Sequence, residues 1–360
     1  MVFKKKAKKE VKEPRVAKAA PALNLKALIA TMQDYRPLEC IRSGIHTIDM
    51  IIGKGIPRGR LIEILGDPGT AKSAFAQTAA GAFQRAGGHV IYVDAEEKVD
   101  RDFAERLGMD WDAAGHPTVT NIDELISLLN KVSKIAKREV PTLVVVDSFA
   151  AIRGIDEIEA IDEDKGMGID RGQRAKEFSK FFRIILGDLA RKQVTLMGTN
   201  QVRVNFNFNT GYTTLESTGG KAVKFYAAVR LIMKPKGRIR SRERDLVLGQ
   251  VIEVESIKNT VSAPFKKAMV HFKFDSGFVP YSGLDELLLR HGRIVQKAGW
   301  LCFKDKSFRS ADIERICAEM PELLDPLNRV EETPVTTADP VDKGPEDGTI
   351  DAATLEEENP

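Results

Sequence analysis

Apolar residues from Ile41 onward fall into short blocks separated by helical stretches. Leu61-Ile62-Glu63-Ile64-Leu65 predicts a strand that runs into Gly66, and residues from Ser73 to about Arg85 predict a helix. Val90 to Val93 predicts the next strand, and the stretch from about Asp123 to Arg138 a further helix. Leu143-Val144-Val145-Val146 is apolar without alternation, as in a strand covered on both faces of a parallel sheet. A helix from about Gln173 to Arg191 then leads to a strand at Val194 to Met197. Strands alternating with helices predict a doubly wound α/β domain with a mostly parallel sheet. Val251 to Glu255 and Val270 to Phe274 instead alternate apolar and polar positions, which predicts antiparallel additions at a sheet edge.

The pattern also divides the chain. Residues 41–282 read as the core, and residues 283–328, with Leu284, Leu287, Leu288, Ile294 and Val295, as a small C-terminal α/β domain. Ahead of the core, Leu23, Leu25, Leu28, Ile29 and Met32 recur at helical spacing and Pro37 ends the run. Residues 23–40 are therefore expected to hold a short helix and linker, folded back on the core or docked on a neighbouring subunit in an oligomer.

Composition changes the picture mainly at the ends. The net charge of +3 is the sum of a basic segment, residues 1–22, and an acidic one, residues 329–360. Both are expected to be disordered tails. With 42% hydrophobic and 30% charged residues, the 360-residue chain has ample material for a large core. No stretch of about eighteen apolar residues predicts a membrane span, and the N-terminal lysine run lacks the apolar stretch of a secretory signal. The three cysteines, Cys40, Cys302 and Cys317, have neither metal spacing nor the number for a disulfide framework, which suits a cytoplasmic protein.

The chemistry starts at Gly66-Asp67-Pro68-Gly69-Thr70-Ala71-Lys72-Ser73, between a strand and a helix. Such a phosphate-binding loop uses glycines so that backbone N–H groups can surround phosphate oxygens, and the helix N-terminus adds partial positive charge. Lys72 would reach the β- and γ-phosphates of ATP, and the Ser73 hydroxyl would bind Mg²⁺. Ala71 stands where a glycine normally precedes the lysine; if that position is left-handed, alanine costs about 1–2 kcal/mol. Asp147, ending the strand Leu143 to Val146, is a turn residue or, near a phosphate-binding loop, a Mg²⁺ ligand acting through water. Glu96, in Asp94-Ala95-Glu96, is the candidate to orient and activate an attacking water. Its neighbour Glu97 competes for that role on chemistry alone.

These pieces resemble one family, the RecA-type recombinases, bacterial or phage-encoded of the UvsX kind. The resemblance runs from Ile41-Arg42-Ser43-Gly44 through Gly55 to Ile64, then Val93-Asp94-Ala95-Glu96 through Gly108, and Val145-Val146-Asp147-Ser148. It continues through Thr199-Asn200-Gln201-Val202-Arg203, Gly219-Gly220-Lys221 to Leu231, Lys258-Asn259 with Ala263 to Lys266, and Gly283 to Trp300. It implies a RecA-type ATPase core that forms helical filaments on single-stranded DNA. It also implies homologous pairing and strand exchange with duplex DNA, and DNA-stimulated ATP hydrolysis, in recombinational repair. It implies that Gln201 senses the γ-phosphate, that Asp100 and Phe103 contact adenine, and that Lys258 reaches a neighbouring subunit's phosphate. Thr260 stands where the bacterial family often has a second lysine. Single-strand-binding and mediator proteins are further implied partners.

Two segments lack clear periodicity and are expected to be DNA-facing loops. The first, about Asp156 to Arg174, holds Lys165, Met167, Gly168 and Arg171. The second, Arg203 to Thr218, holds Phe206, Phe208 and Tyr212, with Gly219 and Gly220 at its exit. Aromatics there would stack on bases while Arg203, Lys221, Lys224 and Arg230 lie near phosphates, with little sequence preference. A basic cluster from Lys234 to Arg244 is expected between two strands, as a solvated hairpin tip or a hold for a second DNA strand. Two other functions remain open at this point: a ring-shaped motor of the same fold, and a nucleotide-binding mediator without turnover, for which Ala71 and Thr260 speak.

Overall fold

The computed structural model describes residues 38–154, 171–206, 213–217, 221–241 and 246–327. Lys165, Met167, Gly168, Phe208, Tyr212, Gly219, Gly220 and the two terminal tails lie outside the described residues.

A ten-stranded sheet organises the chain. Its parallel part comprises β3 (Leu61–Gly66), β4 (His89–Asp94), β5 (Ala114–Gly115), β6 (Thr142–Asp147), β7 (Val194–Phe206) and β9 (Val229–Arg240), in the order β9-β3-β7-β6-β4-β5. Beyond β9, β10 (Val247–Asn259) and β11 (Lys267–Lys273) add antiparallel, as their alternating sequences predict, and the two-residue β12 (Gly277–Phe278) follows. A short ladder of β1 (Cys40–Ile41) and β2 (Ile56–Pro57) precedes β3.

Every residue of β3 and β6 is buried, so both faces of these strands are covered. The side-chain period of two divides their residues between two apolar layers. Leu143 and Val145 pack in the layer with Ile48 of α1 (His46–Ile52) and Phe75 of α2 (Lys72–Arg85). Val144 and Val146 pack in the layer with Leu125 of α4 (Ile122–Ile135), Phe178 of α5 (Arg171–Lys192) and Val223 of α6 (Lys221–Tyr226). Gly198 of β7 leaves room for Phe149, whose ring would lie 1.9 Å from any Cβ there. Caps close two helices: Asn121 accepts from the N–H of Glu124 on α4, and Asp100 from that of Phe103 on α3 (Arg101–Arg106).

Residues 283–327 hold α7 (Leu284–Arg290), a three-stranded sheet of β13 (Val295–Lys297), β14 (Trp300–Phe303) and β15 (Lys306–Phe308), and α8 (Ile313–Glu319). Their buried Leu284, Leu287, Ile316 and Leu323 join the same apolar layer as α1 and α2. Among the described residues no helix is long and apolar enough to cross a membrane.

Three expectations are corrected. The second expected loop is largely a two-stranded ribbon: β7 continues to Phe206 and pairs antiparallel with β8 (Thr213–Ser217), Val204 opposite Leu215. Its Val, Thr and Leu positions favour a pleated conformation over an irregular one. Arg171, placed in the first loop, is the first residue of α5. Lys234, Lys236, Arg238 and Arg240 lie on β9 rather than between strands; Lys234 and Lys236 pair with Glu255 and Glu253 of β10.

Candidate nucleotide site and DNA-facing elements

The C-terminal ends of the parallel strands converge on one crevice, where open α/β sheets bind ligands. Gly66 ends β3, Asp94 ends β4 and Asp147 ends β6, with Asp94 opposite Asp147 in the ladder. Gln201 of β7 sits directly opposite Gly66. Close packing demands the glycine: a Cβ at Gly66 would lie 2.4 Å from the Met233 carbonyl.

The loop from Gly66 to Ser73 feeds α2, as its sequence predicts. Ala71 is left-handed, with φ 58 and ψ 28, and precedes the first residue of the helix. Within the loop the Thr70 hydroxyl donates to the Asp67 carbonyl at 2.8 Å, and the Lys72 ammonium donates to the same oxygen at 2.7 Å. Burial lowers the Lys72 pKa, partly offset by the charges of Asp147, Glu96 and Asp67.

Ser73, Gln77, Asp94, Glu96, Lys98, Asp100, Phe103 and Asp147 all line a cavity of about 240 Å³. Asp147 is buried, and its oxygens accept from the hydroxyls of Tyr92, at 2.9 Å, and Thr199. Burial raises the Tyr92 pKa well above the usual value, and the charge of Asp147 adds to it, so Tyr92 stays a donor. Glu96 accepts from the Ser148 hydroxyl at 2.7 Å and from Lys98 at 3.0 Å. Partial burial opposes ionisation of Glu96, but these bonds and the charges of Lys98 and Lys72 outweigh it and hold its pKa below the usual range. Glu97 is exposed and left-handed, at φ 53. The cavity therefore takes in Glu96, the expected candidate, and not its neighbour Glu97.

The residues expected around a purine divide. Asp100 lines the cavity but spends one oxygen capping α3. Phe103 is half-buried, edge-on to Phe272 with ring centroids 6.5 Å apart and with Arg106 5.5 Å from its ring centre. One face of the cavity thus has an aromatic wall held from behind.

Lys258 is not part of this crevice. On β10 it pairs with Arg230 of β9, which pairs with Glu63 of β3, three residues before Gly66. That offset is about 10 Å along the strand, toward the opposite end of the sheet. Its ammonium donates to the carbonyls of Lys224 and Phe225 at 2.9 and 2.7 Å. Burial and the charge of Arg230 lower its pKa.

Arg230 corrects a further expectation. Instead of lying near phosphates it is buried and paired with fully buried Glu63. Glu63 also accepts from Asn200 at 3.0 Å, the residue before Gln201. Glu63 is the one charge in an apolar strand, and such a residue is a signal for a buried partner that the reading of the sequence above did not use. Arg203 and Phe206 lie on the β7 segment of the ribbon, beyond Gln201.

Among the described residues no group of three or more His, Cys, Asp or Glu side chains could hold a metal ion. Ser73 and Asp147 are nonetheless hard oxygen donors on one cavity wall. That set fits Mg²⁺, which binds with one or two carboxylate or hydroxyl contacts, waters and substrate phosphates.

Comparison with known proteins points to one family. The model of the RecA N-terminal domain family matches residues 25–279. The Protein RecA of Fusobacterium nucleatum is 31% identical over 291 residues, covering 80% of this chain and 74% of that protein. The Protein RecA of Acinetobacter baylyi is 30% identical over 299 residues, covering 81% of this chain and 82% of that protein. The Protein RecA of Bacteroides thetaiotaomicron is 29% identical over 330 residues, covering 86% and 96%.

Proposed function

This chain belongs to the RecA family, and on that premise we infer that the crevice between Gly66 and Asp147 is where it binds and cleaves ATP. It is an ATP-dependent recombinase, a DNA-dependent ATPase that binds DNA, forms filaments and acts in homologous recombination and repair. The observation that carries the site assignment is the convergence of Ser73, Glu96 and Asp147 on one cavity beside the loop.

In this reading the loop N–H groups and Lys72 hold the β- and γ-phosphates. Lys72 exchanges its bond to the Asp67 carbonyl for phosphate oxygens. Ser73 and Asp147 would hold Mg²⁺, Asp147 through water, while its oxygens keep the hydroxyl bonds from Tyr92 and Thr199 that fix its orientation. When bound, the cation neutralises charge on the β- and γ-oxygens. Glu96, ionised at neutral pH, accepts a proton from water as the water oxygen bonds to the γ-phosphorus and the bond to the β–γ bridging oxygen breaks, releasing ADP and phosphate. Asp100 and Phe103 flank adenine. Gln201, beside Gly66, reports the γ-phosphate to the β7–β8 ribbon, where Arg203 and Phe206 face DNA together with Phe208, Tyr212, Gly219 and Gly220. Lys165, Met167, Gly168 and Arg171 form the other DNA-facing segment. Lys258, remote from its own phosphate loop, reaches the nucleotide of the adjacent protomer. Residues 23–40 join protomers, residues 283–328 form a small C-terminal α/β domain, and the tails are solvated. Single-strand-binding and mediator proteins act with it in the cytoplasm of a bacterium or a phage-infected host.

ATP hydrolysis with and without single-stranded DNA, beside a strand-exchange gel, tests this reading. Strong stimulation by DNA and helical polymers in negative stain are expected. Lys72→Ala abolishes both. Equal turnover without DNA, or closed rings, would refute it.

A further inference from the structure

Outside its own residues, the tip of the phosphate loop is held by a side chain from the far strand β10. Asp67, Pro68 and Gly69 are exposed, and Gly69 is left-handed at φ 76. The bonds from Thr70 and Lys72 tie Asp67 and leave Gly69 to another partner. The Gln250 side-chain amide donates to the Gly69 carbonyl at 2.8 Å.

A strand defect aims that amide. On β10, Val247 pairs with Arg240 and Gly249 with Ile239, so Leu248 is an extra residue. Bulges of this kind re-aim side chains and recur beside functional sites. The bulge needs its glycine, since a Cβ at Gly249 would lie 2.2 Å from the Phe272 carbonyl. Leu248 is turned outward, 46% exposed, and Gln250 resumes the ladder opposite Arg238.

The consequence follows from peptide geometry. The Gly69 carbonyl and the Thr70 N–H belong to one planar trans unit and point in opposite directions. Fixing the carbonyl toward β10 fixes that N–H away from β10. A glycine at this position would otherwise rotate freely. We propose that Gln250 is a positioning residue for the nucleotide: it pre-sets the Gly69–Thr70 peptide of the phosphate loop and fastens the loop to the basic β9–β10 ribbon. The proposal rests on the reading of this loop as the ATP cradle, and it concerns binding of the phosphates rather than their cleavage.

The test uses the full chain and two readouts. Equilibrium binding of ATP and ADP is measured without DNA, and steady-state hydrolysis is measured with single-stranded DNA. Losing one hydrogen bond that orders the loop predicts that Gln250→Ala and the near-isosteric Gln250→Met weaken both nucleotides roughly threefold to tenfold. KM should rise by the same factor, with kcat at saturation and Tm unchanged. Gln250→Lys, which keeps a donor, should restore binding, and Gln250→Glu, which has none at neutral pH, should not. These last two are compared at about 0.5 M salt, where attraction or repulsion of phosphate through solvent is screened. Wild-type affinity in Gln250→Ala, or equal affinity in Gln250→Lys and Gln250→Glu, would overturn the proposal. A loss confined to kcat would overturn it too. If hydrolysis in the wild type were indifferent to DNA, the recombinase reading would fall while the binding comparison still decided the role of Gln250.

Discussion

Replacing Ala71 by glycine isolates the strain in the phosphate loop. Ala71 is left-handed at φ 58 and ψ 28, a conformation that costs an alanine about 1–2 kcal/mol. Glycine removes that cost but loses about 0.4–1 kcal/mol through a more flexible unfolded chain. Ala71 is half-buried against the apolar layer of α2, so its methyl is worth about half of the ~0.8 kcal/mol of a fully buried one. Midpoint values leave Ala71→Gly about 0.4 kcal/mol more stable. An alanine-to-glycine change inside a helix costs about 1 kcal/mol instead. Ala71→Val supplies the contrast, because a β-branched residue at positive φ is an outlier, and a loss of at least about 2 kcal/mol is expected. Urea unfolding without nucleotide measures both. A loss of about 1 kcal/mol or more in Ala71→Gly, or a valine variant as stable as the parent, would refute the account of the strain.

Three other outcomes are expected. Asp49 is fully buried; burial raises its carboxyl from 3.8 to about 6, while Ser43 satisfies Oδ1 and Oδ2 has no partner. A raised folded pKa means that its contribution to stability is complete below about pH 4 and is lost as pH rises through about 6. Near two pKa units correspond to about 3 kcal/mol. Asp49→Asn should therefore gain stability at pH 8 and little at pH 4, and parallel pH curves for the two proteins in urea unfolding would contradict this. Arg230→Met leaves Glu63 charged and unpaired in the sheet and should cost about 3–5 kcal/mol, much of it recovered by adding Glu63→Gln; denaturant midpoints of the single and double variants decide. Glu96→Gln should keep ATP and DNA binding and lower turnover by about a hundredfold or more, read by single-turnover hydrolysis.

The parallel core was legible because its strands are unbroken apolar runs and its loop chemistry is local. Gly66 to Ser73 and Asp147 fall where pattern and motif together put them. Other features depend on pairing between distant segments. Nothing adjacent to Glu63 indicates that Arg230 neutralises it, because the pair is made across the β3–β9 ladder. That Glu96 lines the cavity and Glu97 does not depends on the path of the backbone, which turns left-handed at Glu97. Gln250 carried a faint signal, Gly249 within an alternating strand, which marks a bulge. The ribbon was misread because the polar residues in the segment masked the alternation of Val202, Val204 and Phe206.

Strand β7 has one more consequence. Its first residues are clamped between β3 and β6, and its last five pair, among the described residues, with β8 alone, with no break in the backbone pairing between. Val202 to Phe206 therefore carry the clamped strand roughly 17 Å further, from an anchor at the residue that faces Gly66. A load at its free tip arrives at the anchor as a tilt, and a shift at the anchor is magnified at the tip.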